Sequence, residues 1–147
     1  MEIEIFTLCD AATDMGGKLN ILGTFDRINT WQFPAVHPHC AVALRVRFDK
    51  IEEGKHRVKI SFVDQDGKAV LPSLDGNIEV RMAPDVRSLC ANMVVNLNGL
   101  KFDKAEQYSL DLGLDGRHER SLPVTVALVE RPAQPPHLGD APPAPGA

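Results

Sequence analysis

The chain is poor in the features that mark membrane proteins, nucleic-acid binders and common enzyme families. No stretch approaches the roughly 20 apolar residues that span a bilayer. The N-terminus, "MEIEIFTLCDAA", carries glutamates where an export signal needs positive charge, and no long apolar core follows them. A cytoplasmic protein with no membrane partner is therefore expected. Lysine and arginine total 16 against 20 acids, for a formal net charge of -4. Nucleic-acid binders concentrate cations to displace counterions from phosphates, so no nucleic-acid partner is expected. Cysteine is scarce: three residues, at 9, 40 and 90, make no CxxC pair and no disulfide framework. Thiols in this pattern behave as small buried hydrophobes in a reducing compartment. There is no Gly-rich phosphate loop, no Ser–His–Asp spacing and no HExxH, and no cofactor is implied.

What is present is enough for one core. The chain has 147 residues, 44% of them hydrophobic and 24% charged, as in an ordinary globular domain. Composition changes after Arg131, where "RPAQPPHLGDAPPAPGA" is rich in Pro and Ala and poor in large apolar groups. Such a segment cannot bury enough surface to offset its ordering entropy. A domain over 1–131 and a disordered tail over 132–147 follow. The tail has polyproline II tendency, with an SH3-like ligand as its functional alternative.

The rest alternates with period two, which turns successive side chains to opposite faces of a strand. Val42, Leu44, Val46 and Phe48 share one face; so do Val58, Ile60 and Phe62. Tyr108, Leu110, Leu112 and Leu114 form a third row and Leu122, Val124, Val126 and Leu128 a fourth, with "DGRHERS" as the turn between them. Pro123 lacks a ladder donor, so it belongs at a strand start or on an edge. Further strands are expected at Glu2–Cys9, Leu19–Phe25 and Ile78–Met82, and "NTWQFPAVHPH" reads as a Pro-broken connection. In "APDVRSLCANMVVNLNGL" helical spacing competes with strand alternation. The asparagines and the Val94–Val95 pair favour a strand from about Cys90, with Met93, Val95 and Leu97 inward.

Many short strands between turns give an all-β, two-sheet antiparallel β-sandwich. Tyr108, entering a late strand after a short acidic turn, resembles the tyrosine corner of immunoglobulin-like and fibronectin-like domains, whose hydroxyl binds nearby backbone. Here that backbone would be Leu100–Lys104. The stretches "EIEIFTLCDAATDMGGKLNILGTFD", "FPAVHPHCAVALRVRF" and "LNGLKFDKAEQYSLDLGLDGR" together resemble a bacterial family of short proteins known only as a domain of unknown function. The resemblance runs from Met1 to about Glu130. It implies a small bacterial β-sandwich and brings no catalytic residues.

Four residues are candidates for chemistry. His37, His39 and Cys40 in "HPHC" are good zinc ligands, which Cys9, Cys90, Asp10 or Asp14 would have to complete. Cys9 could serve as a nucleophile if His37 or His39 acted as its base. The structural alternatives are solvent-facing imidazoles in a loop and buried thiols. Asp64, Asp66 and Asp75 suit either calcium or an ordinary turn. Arg45, Arg47, Arg57 and Lys59 form a basic stripe if their strands are neighbours. Two functions follow. The first is a non-catalytic interaction or assembly module, bound to a protein partner or to itself through an edge strand. The alternative is a metal-dependent or thiol enzyme centred on Cys9, His37, His39 and Cys40.

Overall fold

The alternating rows form strands joined by tight turns, and a computed structural model describes residues 1–133. In chain order the strands are β1 (Glu2–Met15), β2 (Lys18–Thr24), β3 (Arg27–Thr30), β4 (Ala35–Asp49), β5 (Gly54–Val63), β6 (Leu74–Val80), β7 (Ser88–Phe102), β8 (Glu106–Leu114) and β9 (Arg117–Leu128). Apart from one 3-10 turn at Lys50–Glu52, no helix occurs among the described residues. The tail expected over 132–147 lies, from residue 134 onward, outside them.

Two sheets result, with strand orders β2-β1-β4-β7 and β3-β9-β8-β5-β6. One pairing departs from the antiparallel expectation: β3 runs parallel to β9, Arg27 beside Thr125 and Thr30 beside Leu128. The sheets share one core. Leu8, Val42, Leu44, Val46 and Phe48 meet Val58, Ile60, Phe62, Leu110, Leu112, Leu114, Val124 and Val126 in a single buried cluster. The rows read from the sequence face this core, except that Leu128 is 59% exposed. It is the last residue of β9, where the buried face ends.

The ambiguous segment is a strand throughout. Met93, Val95 and Leu97 pack on the core from β7. The helical spacing counted Cys90 and Val94, which belong to the opposite face in strand geometry.

Two local expectations need correction, and a third is met in one of its two forms. "HPHC" is no loop, because β4 begins at Ala35 and carries His37 and His39 opposite Leu100 and Asn98 of β7. Pro38 falls opposite Gly99, whose φ of 65° is costly for other residues. Around this pair the burial alternation of both strands changes phase, so Leu100 and Phe102 turn inward after Leu97. Secondly, "DGRHERS" is a two-residue turn at Asp115–Gly116, with φ of 51° and 79°. His118, Glu119 and Arg120 therefore lie in β9 rather than at a hairpin tip. Thirdly, Pro123 sits within β9 and not at its start. Thr125 N–H donates to Asp26 C=O on the β3 side. Alternation turns the Pro123 nitrogen the same way, where β3 does not reach, so the edge expectation holds there.

The outer face of the first sheet is also partly covered. Cys9, Ala41 and Ala43 form a second small buried cluster with Ala12, Leu19, Ile21 and Val94 against it. The β1–β2 hairpin lies over this face, and its turn is fastened by Asn92 Nδ2 donating to Gly17 C=O at 3.1 Å.

Tyr108 closes the approach to the last hairpin. Its hydroxyl donates to Lys104 C=O at 2.9 Å, inside the expected turn. The ring meets Phe102 edge-on at 4.9 Å and Phe62 at 6.2 Å. Tyr108→Phe keeps the ring and removes the bond, so urea unfolding should show a loss of about 1–3 kcal/mol. Phe62→Ala opens a cavity beside the same rings and should cost about 3–5 kcal/mol. Glu119→Ala, on a solvated face of β9, should stay within about 0.5 kcal/mol of the parent.

Candidate functional site

Sheet geometry decides which of the proposed chemical groups can meet. Cys40 points into the main core, while Cys9, paired with Ala41 on the neighbouring strand, points to the outer cluster. Burial raises the Cys9 thiol and pushes Cys40 up to about 11. Little thiolate forms in either at neutral pH, and thiolate is both the nucleophile and the metal ligand. The Cys9 thiol is directed at Ala41 C=O, 3.4 Å away. His39 is exposed and shares a 2.9 Å hydrogen bond with Asn98. His37 lies against Phe25, ring centroids 5.5 Å apart, with its buried Nε2 unpartnered. Among the described residues no group of three or more His, Cys, Asp or Glu is arranged to hold a metal ion. The structure thus does not bring Cys9, His37, His39 and Cys40 together as one reactive centre.

The carboxylates of "VDQDG" do turn chemistry. Asp64 Oδ1 accepts from the amides of Asp66 and Lys68, both at 2.9 Å. Asp75 sits on β6 and faces Arg57 at 3.6 Å. The basic stripe divides, because β4 and β5 belong to different sheets. Arg45 and Arg47 both donate to Glu4 at 2.9 Å. Side-chain bonds from Arg47, then Cys90 and Arg45, hold the Glu4 carboxyl at about 2.

His56 belongs to a second polar cluster, and sequence spacing gave no sign of it. It lies on β5 against the Phe48 ring, centroids 4.6 Å apart. Nδ1 faces Asp115 at 2.7 Å and Nε2 faces Glu52 C=O at 2.6 Å. Asp115 also accepts from the Arg57 amide, and Glu52 from the Met1 ammonium. Burial works against a charge on His56, but the Asp115 and Glu52 hydrogen bonds outweigh it and raise its pKa. With acceptors on both ring nitrogens, His56 is a clamp between turns rather than a free base.

The remaining candidate is the long free edge of β7. This strand pairs with β4 from Ala35–Phe102 to Asp49–Ser88, and among the described residues no strand pairs with its other side. The amide of Lys50 donates to Arg87 C=O, which sets the phase. Alternation then leaves the N–H and C=O groups of Cys90, Asn92, Val94 and Asn96 on the open side. No residue from Ser88 to Leu100 is charged. The other sheet margins are shorter or charged. β3 has four residues and includes Arg27, β2 has seven and includes Lys18, and β6 carries Asp75 and Glu79. Beside β7 the layers part into two grooves. One, of about 440 Å³, lies between Val58, Ile60, Leu74, Met93 and Val95. The other, of about 190 Å³, is lined by Val70, Leu71, Leu97 and Leu100 with Lys101 at its margin, as Asp75 stands at the margin of the first.

The profile of a family of unknown function, DUF6941, matches residues 4–127. No curated protein matches the chain.

The His56 clamp has a pH signature. Its folded pKa stands above the ordinary 6.5. Its contribution is therefore fully present below that value and is lost as pH rises through the folded pKa. Asp115, lowered by its bond to His56, stays ionised across this window. Unfolding free energies of the parent and of His56→Gln, measured from mildly acidic to mildly alkaline pH, should converge as the pH rises. Thiol labelling of the native protein should modify the partly exposed Cys90 well before Cys9 or Cys40.

Proposed function

The chain belongs to this family of unknown function, and from that premise we propose that it is a non-catalytic interaction module that accepts an extended segment of a protein partner along β7. The observation that carries this reading is the uncharged edge from Ser88 to Leu100, unpaired among the described residues. Natural sheets guard such edges with charge, proline or shortness, since free N–H and C=O groups recruit other strands. β7 has none of these over that span. An added strand would satisfy its backbone groups and lay alternate side chains over the two apolar grooves, the combination of affinity and selectivity typical of strand addition.

The occupant is a segment with apolar groups at alternate positions. A second copy fits less well. β6 closes on β7 at Gly76, beside the Met93 methyl. A copy docked edge to edge would carry its own β6, with Asp75 and Glu79, into the same space.

We read the two sheets as an immunoglobulin-like or fibronectin-like sandwich. The Tyr108 bond near the start of the penultimate strand supports this. The exposed Trp31 and the lack of a cysteine pair set it apart from antibody domains. A bacterial cytoplasmic setting is our reading of the family resemblance and the free thiols. No helix among the described residues is long and apolar enough to cross a membrane.

A photo-crosslinking residue at Ser73, beside the larger groove, should give one discrete adduct in cells, and the same probe at Gln107 should give none. Asn96→Pro removes an outward N–H without touching the β4 ladder. It should reduce the adduct about tenfold, the equivalent of about 1.4 kcal/mol, with little change in melting temperature. Absence of a discrete adduct, or one indifferent to Asn96→Pro, would overturn strand addition. An adduct of twice the chain mass would replace the foreign segment with self-association.

A further inference from the structure

The outer face of the second sheet has a gap where a side chain should stand. Lys59 of β5 pairs with Gly113 of β8, and Gly113 pairs with His118 of β9. A lysine and a histidine thus flank a bare backbone position. In the neighbouring row Ser61, Asp111 and Ser121 stand in register. Arg57 and Arg117 complete the rim of a cleft of about 380 Å³.

Gly113 is not needed for its backbone freedom. Its φ lies outside the left-handed region, and a Cβ built there meets only ordinary contacts, the nearest being Arg117 C=O at 3.5 Å. A glycine inside a strand weakens it and marks either a bulge or a place where something approaches closely. The register does shift between Leu112 and Gly113. That shift tolerates a side chain, so the bulge alone does not require glycine.

The charges around the gap are available. Lys59 makes no ion pair among the described residues. Arg57 faces Asp75 at 3.6 Å and Arg117 faces Glu119 at 3.7 Å, with both arginines over two-thirds exposed. Such loose surface pairs are worth little and exchange readily for a better anion. The carboxylate inside the cleft, Asp111, is engaged: its Oδ1 accepts the hydroxyls of Ser109 and Ser121 at 2.6 Å each. Ser121 Oγ lies 3.0 Å from His118 Nε2, which ties the imidazole to the cleft wall.

We propose that this cleft is a binding site for the phosphate or pyrophosphate group of a small molecule. Two guanidinium groups and an ammonium around a floor left bare at Gly113, with Asp111 tied to two hydroxyls beside it, match a compact, highly charged oxyanion. The site lies on the opposite layer from β7 and does not depend on the strand-acceptor reading.

Titration of the full chain with inorganic phosphate, pyrophosphate and citrate, followed by amide chemical shifts, tests it. Pyrophosphate should give saturable shifts centred on Lys59, Gly113 and His118, tighter than phosphate and much tighter than citrate. Gly113→Val fills the gap with a strand-favouring residue. It should hold or raise the melting temperature while weakening pyrophosphate about tenfold, and Lys59→Gln should weaken it similarly while leaving the gap open. Shifts that never saturate, or that spread equally to Arg45, Arg87 and Lys101, would overturn the proposal. So would undiminished binding by both variants, or citrate binding as tightly as pyrophosphate.

Discussion

The aliphatic rows of β4 and β8 have to leave water together, and the rest of the molecule is arranged around that requirement. Val42, Leu44, Val46 and Phe48 are fully buried, as are Leu110, Leu112 and Leu114. Each such side chain gains about 1.5–3 kcal/mol from burial. Neither sheet has any other surface to cover those rows, so the layers must stack. The turns before and after each strand then need firm positions. Tyr108 holds the approach to β8, and His56 fastens the β8–β9 turn to the 3-10 turn after β4.

Stacking also governs the chemistry. A continuous sheet sends neighbouring residues to opposite faces, so Cys40 enters the core and Cys9, next to Ala41, leaves it. Residues close in sequence or joined across a ladder can be separated by a whole layer. That separation explains why Cys9 and Cys40 enter different clusters, and why the basic stripe divides. Arg45 and Arg47 went to Glu4 on one layer. Arg57 and Lys59 joined Arg117 and His118 on the other.

Strand faces were legible in the sequence because period-two burial is local information. The rows at 42–48, 58–62 and 108–114 stand as read, and so do the inward residues of β7. The Tyr108 bond was legible for the same reason, since donor and acceptor are four residues apart. Strand ends were harder. β4 runs back through Pro38, which falls opposite the positive-φ Gly99 on β7, a pairing between residues 61 positions apart. The groups around the Gly113 gap and the edge of β7 depend on strand order, and periodicity carries no information about order. His56 was missed because its partners, Glu52 and Asp115, are set by a turn and a hairpin that only the assembled sheets bring to one place.

The bare edge of β7 and the Gly113 cleft have a common physical origin. Alternation leaves every strand with positions that contribute nothing to the core, and selection for stability alone would fill them with β-branched or charged residues. Asn92 and Asn98 on β7 are poor strand formers with bonds inside the fold, to Gly17, Arg45 and His39. Asn96 and Gly113 are poor strand formers for which the fold shows no such bond, and the packing of the core requires neither. Where folding does not demand a costly residue, the cost points to a contact outside the fold. The two proposed contacts differ in kind: backbone groups on an edge of one layer, cations around a cleft on the other. On those proposals a polypeptide segment and a small anion would bind on separate layers, with the shared core between them.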